Sequence, residues 1–151
     1  MTWEINYSSL LKISSEKNTS TQQVSVPTTM TPIEVNLRVS ELIQLDDYDE
    51  DFLKPSLFAA QTTVSLLNNA QIKLGRYLPK AHISPDGDGG IWVEWIGHGK
   101  RLFLSIPAHK DAENRLFYKW SSDEHRTENN VFSDRLADFI VQFSMNEQHQ
   151  N

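Results

Sequence analysis

The residues best placed to do chemistry in this chain are carboxylates and imidazoles, and their spacing decides what they can do. Asp86-Gly87-Asp88-Gly89-Gly90 has the composition of a calcium loop. An EF-hand loop begun at Asp86 needs an oxygen ligand at its fifth position and a glutamate at its twelfth. Those positions hold Gly90 and Gly97, so the loop fails. A hairpin turn accounts for the same residues: its glycines take positive φ and its aspartates bond their own backbone. His82, His98, His109, His125 and His149 contain no i, i+4 pair of the His-Glu-x-x-His kind and no other ligand spacing, so no metal ligands are assigned. Ser84 and Ser105 lack a Gly-x-Ser-x-Gly elbow, and there is neither a Walker loop nor a dinucleotide fingerprint. Glu94 remains as a candidate general base. Acid–base chemistry usually needs a second positioned group, for which His82 or His109 is the candidate.

The elements that must hold these residues follow from periodicity. Leu57, Ala60, Val64, Leu67, Ala70 (or Gln71) and Leu74 recur at helical spacing, so a helix over 55–74 is expected. Pro55 suits its first turn and Gly75 its left-handed C-terminal cap. The pattern then changes to period two. Strands are expected at 81–84, 91–96, 101–106 and 115–120, joined by the Asp86–Gly90 turn, a second turn at Gly97-His98-Gly99-Lys100, and a longer connection over 107–114. Residues 121–130 read as a loop. Leu136, Phe139, Ile140 and Phe143 mark a last amphipathic helix over 133–145. Short hairpins force antiparallel pairing, and one-sided alternation means one sheet face is covered. The expected fold is α+β: a four-stranded antiparallel meander packed by two helices.

Residues 14–32 are rich in Ser, Thr, Asn and Gln and poor in large apolar side chains, which suits a flexible arm. Leu10, Leu11 and Ile13 offer a short anchor before it. Ile33-Glu34-Val35-Asn36-Leu37-Arg38-Val39 alternates with period two and reads as a strand, or as a strand-like entry to the short segment Ser40–Leu45. The expected organisation is therefore an N-terminal arm over 1–39, one domain over 40–145, and a frayed tail over 146–151.

Composition bounds the function. The 151 residues suffice for one domain with a real core, and 38% hydrophobic and 23% charged residues are ordinary globular usage. A formal charge of −6 argues against direct nucleic-acid binding, which usually carries a basic footprint. The absence of cysteine excludes disulfides, thiolate metal sites and cysteine nucleophiles. No cofactor motif is present. Apolar runs fall far short of the ~18 residues that cross a bilayer, and the first residues lack the pattern of a secretory signal. No membrane association is expected, and the cytoplasm is the expected compartment.

With Ile91, Val93 and Trp95 assigned to the core, Trp92 and Glu94 fall on the opposite sheet face. Phe103, Ser105, Phe117 and Lys119 join them there, and Lys119 or Arg101 is the expected ionic partner of Glu94. Such an aromatic face suits a protein interface, since aromatics and Arg anchor hot spots. Cover from the N-terminal arm or a helix of the same chain would hide the same residues. The run Asp46, Asp47, Asp49, Glu50 and Asp51 reads either as a solvated stretch ahead of a helix or as a docking strip for a basic protein.

The run Asp88-Gly89-Gly90-Ile91, Val93-Glu94-Trp95 is the specific part of a wider pattern. It joins Leu42, Leu45, Asp46 and Asp47, Pro55-Ser56, Ala59-Ala60, Leu66-Leu67, Leu102, Leu104, Ile106-Pro107 and Tyr118. The pattern, over about residues 40–121, resembles a widespread group of small bacterial proteins of uncharacterised role, found as partners in two-gene cassettes of the toxin–antitoxin or defence kind. Residues 1–39 and the C-terminal helix lie outside it, and Asp46-Asp47-Tyr48-Asp49-Glu50 is more acidic than the group's form. The resemblance implies an antitoxin-like or accessory component. Combined with the residues, the expectation is a non-enzymatic protein-binding module. Trp92, Glu94, Phe103 and Phe117, together with Asp46, Asp47, Asp49 and Asp51, would occlude a basic partner surface while the N-terminal arm orders on binding. A small enzyme using Glu94, or a structural subunit of a larger assembly, is the alternative.

Overall fold

The computed structural model describes residues 29–45, 48–120 and 124–145. Its first helix, α1 (Pro32–Gln44), lies where alternation predicted a strand. The local chemistry at its start explains the correction. Thr31 is the N-cap: its hydroxyl accepts from the Glu34 N–H at 3.2 Å, and the Glu34 carboxylate accepts from the Thr31 N–H at 2.8 Å. With Pro32 at the first helical position, this is a complete capping box. Ile33, Val35, Leu37 and Val39 fit period two, but the residues buried are Val35, Val39 and Leu42, on one helical stripe. Val35 and Val39 belong to the core, so the packed body reaches N-terminally of residue 40.

The second helix, α2 (Leu57–Leu74), ends as expected at Gly75, whose φ of 71° lets its N–H reach the Gln71 carbonyl at 2.9 Å. It begins differently. Ser56, not Pro55, opens it, accepting from the Ala59 N–H at 3.0 Å and donating its own hydroxyl to the Ala108 carbonyl at 2.6 Å. Ala60, Leu67 and Ala70 of the expected stripe are buried, whereas Leu57 is 65% exposed.

Ahead of α1 lies β1 (Thr29–Met30), which pairs with β2 (Leu78–Pro79) just beyond α2, and one antiparallel meander follows. Its strands in order are β3 (His82–Pro85), β4 (Ile91–Gly97), β5 (Lys100–Ile106), β6 (Arg115–Lys119) and β7 (His125–Asn129). The expected four strands are therefore five, because part of the stretch read as a loop pairs with β6. His125-Arg126-Thr127-Glu128-Asn129 has no apolar alternation because it is an edge strand, where a polar sequence resists further pairing. Its Glu128 forms a two-pronged pair with Arg135 at 3.0 and 2.6 Å, on the final helix α3 (Ser133–Met145). Asn114 closes the same corner, its side chain bonding both the N–H and the carbonyl of Val131.

Ile91, Val93 and Trp95 are fully buried beneath the helices with Leu102, Leu104, Ile106 and Leu116. The Trp95 indole donates to the Pro79 carbonyl at 2.9 Å, which satisfies its one polar atom. Leu136, Phe139, Ile140 and Phe143 of α3 pack on this face as their spacing predicts. Among the described residues the layer contains three helices rather than two, with α1 lying against α2 and tied to the β3 edge by Arg38 Nε donating to the Ile83 carbonyl at 2.9 Å.

Candidate functional site

The Asp86–Gly90 turn is built by its own side chain. Asp86 Oδ1 accepts from the N–H groups of Asp88 at 2.7 Å and Gly90 at 2.8 Å, while Gly87 and Gly89 take φ of 90° and 92°. The Asp86 carboxylate is thus occupied by backbone donors, the arrangement a hairpin turn requires. Leu53 and Ser56 N–H groups donate to the Gly87 and Gly89 carbonyls, both at 2.8 Å, so the chain ahead of α2 is docked onto this turn. No cluster of three or more His, Asp or Glu suited to a metal occurs among the described residues.

The turn launches β4, and register fixes what shares its outer face. Trp92 stands opposite Ser84 and Ser105, and Glu94 opposite His82 and Phe103. Phe103 stands opposite Phe117, Arg101 opposite Lys119, and Ser105 opposite Arg115. Phe117 in turn stands opposite Thr127. The structure therefore brings Trp92, Glu94, Phe103 and Phe117 together. Trp92 and Phe103 rings are tilted at 55° with centroids 5.6 Å apart, and the Phe117 and His125 rings lie 6.4 Å apart. Of the two expected partners Glu94 takes Arg101, which also lies over the Phe103 ring at 5.3 Å. His82 faces Glu94 across the strand pair, while His109 lies in the β5–β6 connection.

This face differs from the helix-covered one in exposure. Trp92 is 40% and Ile96 72% exposed, whereas their inner-face neighbours have no accessible surface. Ile96 did not figure among the expected site residues, although alternation from Trp92 and Glu94 places it on the outer face. Between the strands Arg101, Phe103, Ser105, Arg115, Phe117 and Thr127 line a shallow cavity of about 360 Å³.

The charge of the face is opposite to that of the chain. Glu94 is paired with Arg101 on β5; Arg115 and Lys119 lie one strand further on β6, and neither meets a carboxylate among the described residues. The acidic segment forms no part of this surface chemistry. Asp49, Glu50 and Asp51 are exposed beside the β3–β4 turn, where the Tyr48 and Phe52 rings stack at 5.4 Å and Phe52 lies against Gly87. Tyr48 donates to the Leu42 carbonyl at 2.9 Å, and burial raises its phenol pKa against a smaller opposing pull from Arg38. Asp46 and Asp47 lie outside the described residues. The outer sheet face and the acidic segment, expected from sequence to act together on a basic partner, thus carry opposite signs.

On the other side of the molecule a groove of about 380 Å³ runs between α1 and α2, lined by Val39, Ile43, Leu57, Ala60 and Val64. No described helix is long and apolar enough to cross a membrane. No family model, curated protein or solved structure matches this chain.

Proposed function

We propose that the chain is a non-enzymatic protein-binding module whose outer sheet face is the recognition surface. The observation that carries this reading is the contrast between the faces of one sheet: three helices bury one, while Trp92 and Ile96 stay exposed on the other. Large apolar side chains set among arginines are the composition of an interface centre. The acidic segment is the surface suited to a basic partner, by steering more than by buried contact. The sequence pattern that resembles two-gene cassettes makes an antitoxin-like or accessory role the proposed setting, with the cytoplasm as the compartment.

The test is recovery of a partner by tagged full-length chain from its native host, repeated with Trp92→Ala and Ile96→Ser. The module predicts one stoichiometric partner that both substitutions release while the thermal melt stays that of the parent. Undiminished recovery with both variants contradicts the reading. Glu94→Gln separates the enzymatic alternative: it would abolish turnover yet leave the partner bound.

A further inference from the structure

The outer face lies in a chain of net charge −6, yet it carries cations in excess. Arg101 and Lys119 are directly opposite each other on β5 and β6, an arrangement that costs stability in isolation because like charges repel across a strand pair. Glu94 offsets Arg101, while Arg115 and Lys119 flank Phe117 with no carboxylate among the described residues. The cavity between these strands is lined by two arginines, by the hydroxyl-bearing Ser105 and Thr127, and by Phe103 and Phe117. Guanidinium forks and hydroxyl donors beside an apolar side chain such as Phe117 are the chemistry that takes a carboxylate with its aliphatic stem.

We infer that this cavity binds carboxylate side chains of an acidic polypeptide segment of the partner, with an apolar side chain of the same segment seated on Trp92 and Ile96. The inference rests on the outer face being the recognition surface and adds the chemistry of what it recognises. Charge complementarity selects an anion. The packing of the rings selects polypeptide over single-stranded nucleic acid: Arg101 covers Phe103 and Trp92 tilts against it, which denies bases the open ring faces a stacking platform needs. Ile96 adds an apolar contact that a nucleotide does not use.

The experiment is an NMR titration of the isotope-labelled full chain, following the Nε–H signals of Arg101 and Arg115. The probes are a peptide of alternating glutamate and leucine and an oligothymidylate of equal length. The peptide should move both signals at low ionic strength and lose affinity as salt is added. Arg115→Glu should weaken it roughly tenfold or more. Lys73→Glu makes the same charge change beside Asp134 on the helical side and should leave the affinity within about twofold. Arg115→Gln, checked by its thermal melt, serves if the reversal perturbs folding. Binding of oligothymidylate without the peptide overturns the inference in favour of nucleic acid, and silence with both probes overturns it altogether. In either case release of the native partner by Trp92→Ala keeps the recognition face standing, whereas retention of that partner removes the reading beneath as well.

Discussion

Lys100→Met tests how the β4–β5 hairpin is fastened to the last helix. Lys100 is 5% exposed, a rare placement for an ammonium. Its Nζ donates to the Gln142 carbonyl at 2.6 Å and the Phe143 carbonyl at 3.4 Å, and sits 4.8 Å from the centre of the Trp120 ring. Those carbonyls belong to the last turn of α3, which has no basic residue of its own there. Lys100 therefore supplies from another strand the positive charge that the helix C-terminus favours. A hydrogen bond to a charged group contributes ~1.5–3 kcal/mol, and the helix dipole overlaps with that figure. Desolvating the ammonium opposes it. Methionine keeps the aliphatic packing and removes the donors; with burial offsetting the charge assistance, the expected loss is that of an ordinary hydrogen bond, about 0.5–1.5 kcal/mol, or roughly 1–6 °C in Tm. Urea and thermal melts at neutral pH, with an unchanged m-value, measure it. A variant as stable as the parent would refute the reasoning, because it would mean that burying the charge costs as much as its bonds return. The pH dependence supplies an internal check. Burial holds the Lys100 pKa below its ordinary 10.5, with Glu124 pulling it partly back. The unfolded chain then binds the proton more tightly, so the parent should gain stability relative to Lys100→Met as pH rises from the lowered value towards 10.5.

Three further outcomes follow from the same structure. Gly90→Ala should cost ~1–3 kcal/mol in denaturant melts, because a Cβ there runs into the Ile106 carbonyl and the Asp86 carboxylate. Glu128→Gln should flatten the acid limb of the stability curve. The Arg135 hydrogen bond holds the Glu128 carboxyl below its ordinary 4.5, so its contribution is complete above about 4.5 and is lost as pH falls through the depressed value. Glu94→Gln removes only a solvent-accessible pair with Arg101, so it should change stability by less than ~1 kcal/mol in the same melts.

The meander and its covering helices were legible because their signals are local and one-sided. Ile91, Val93 and Trp95 fall at every second position of one strand, and Gly75 and the Asp86–Gly90 glycines mark the turns. Two elements were misread for different reasons. In α1 a fourfold alternation over Ile33–Val39 competed with the Thr31–Glu34 capping box, and the cap decides because it satisfies donors that a helix start would otherwise strand. In β7 there is no pattern to read, since neither side of that edge strand packs into the core. Strand parity places the outer-face aromatics and narrows the partner of Glu94 to Arg101 or Lys119; the register decides for Arg101. The basic sign of that face is not legible this way, because net charge averages over the whole chain. Arg101 on β5 and Arg115 and Lys119 on β6 share a face only once those two strands are in register. In sequence Lys100 belongs to a turn; its burial depends on where α3 docks, which no local signal reports.

Recognition through the outer sheet face is tested most directly by calorimetric titration of the purified partner with two variants on opposite sides of the molecule. Trp92→Ala should weaken binding by roughly thirtyfold or more, the ~2 kcal/mol of a central aromatic anchor. Ile72→Ala, 75% exposed on α2, should bind like the parent. Parent-like affinity for Trp92→Ala with a loss at Ile72 would place recognition on the helices and contradict the account.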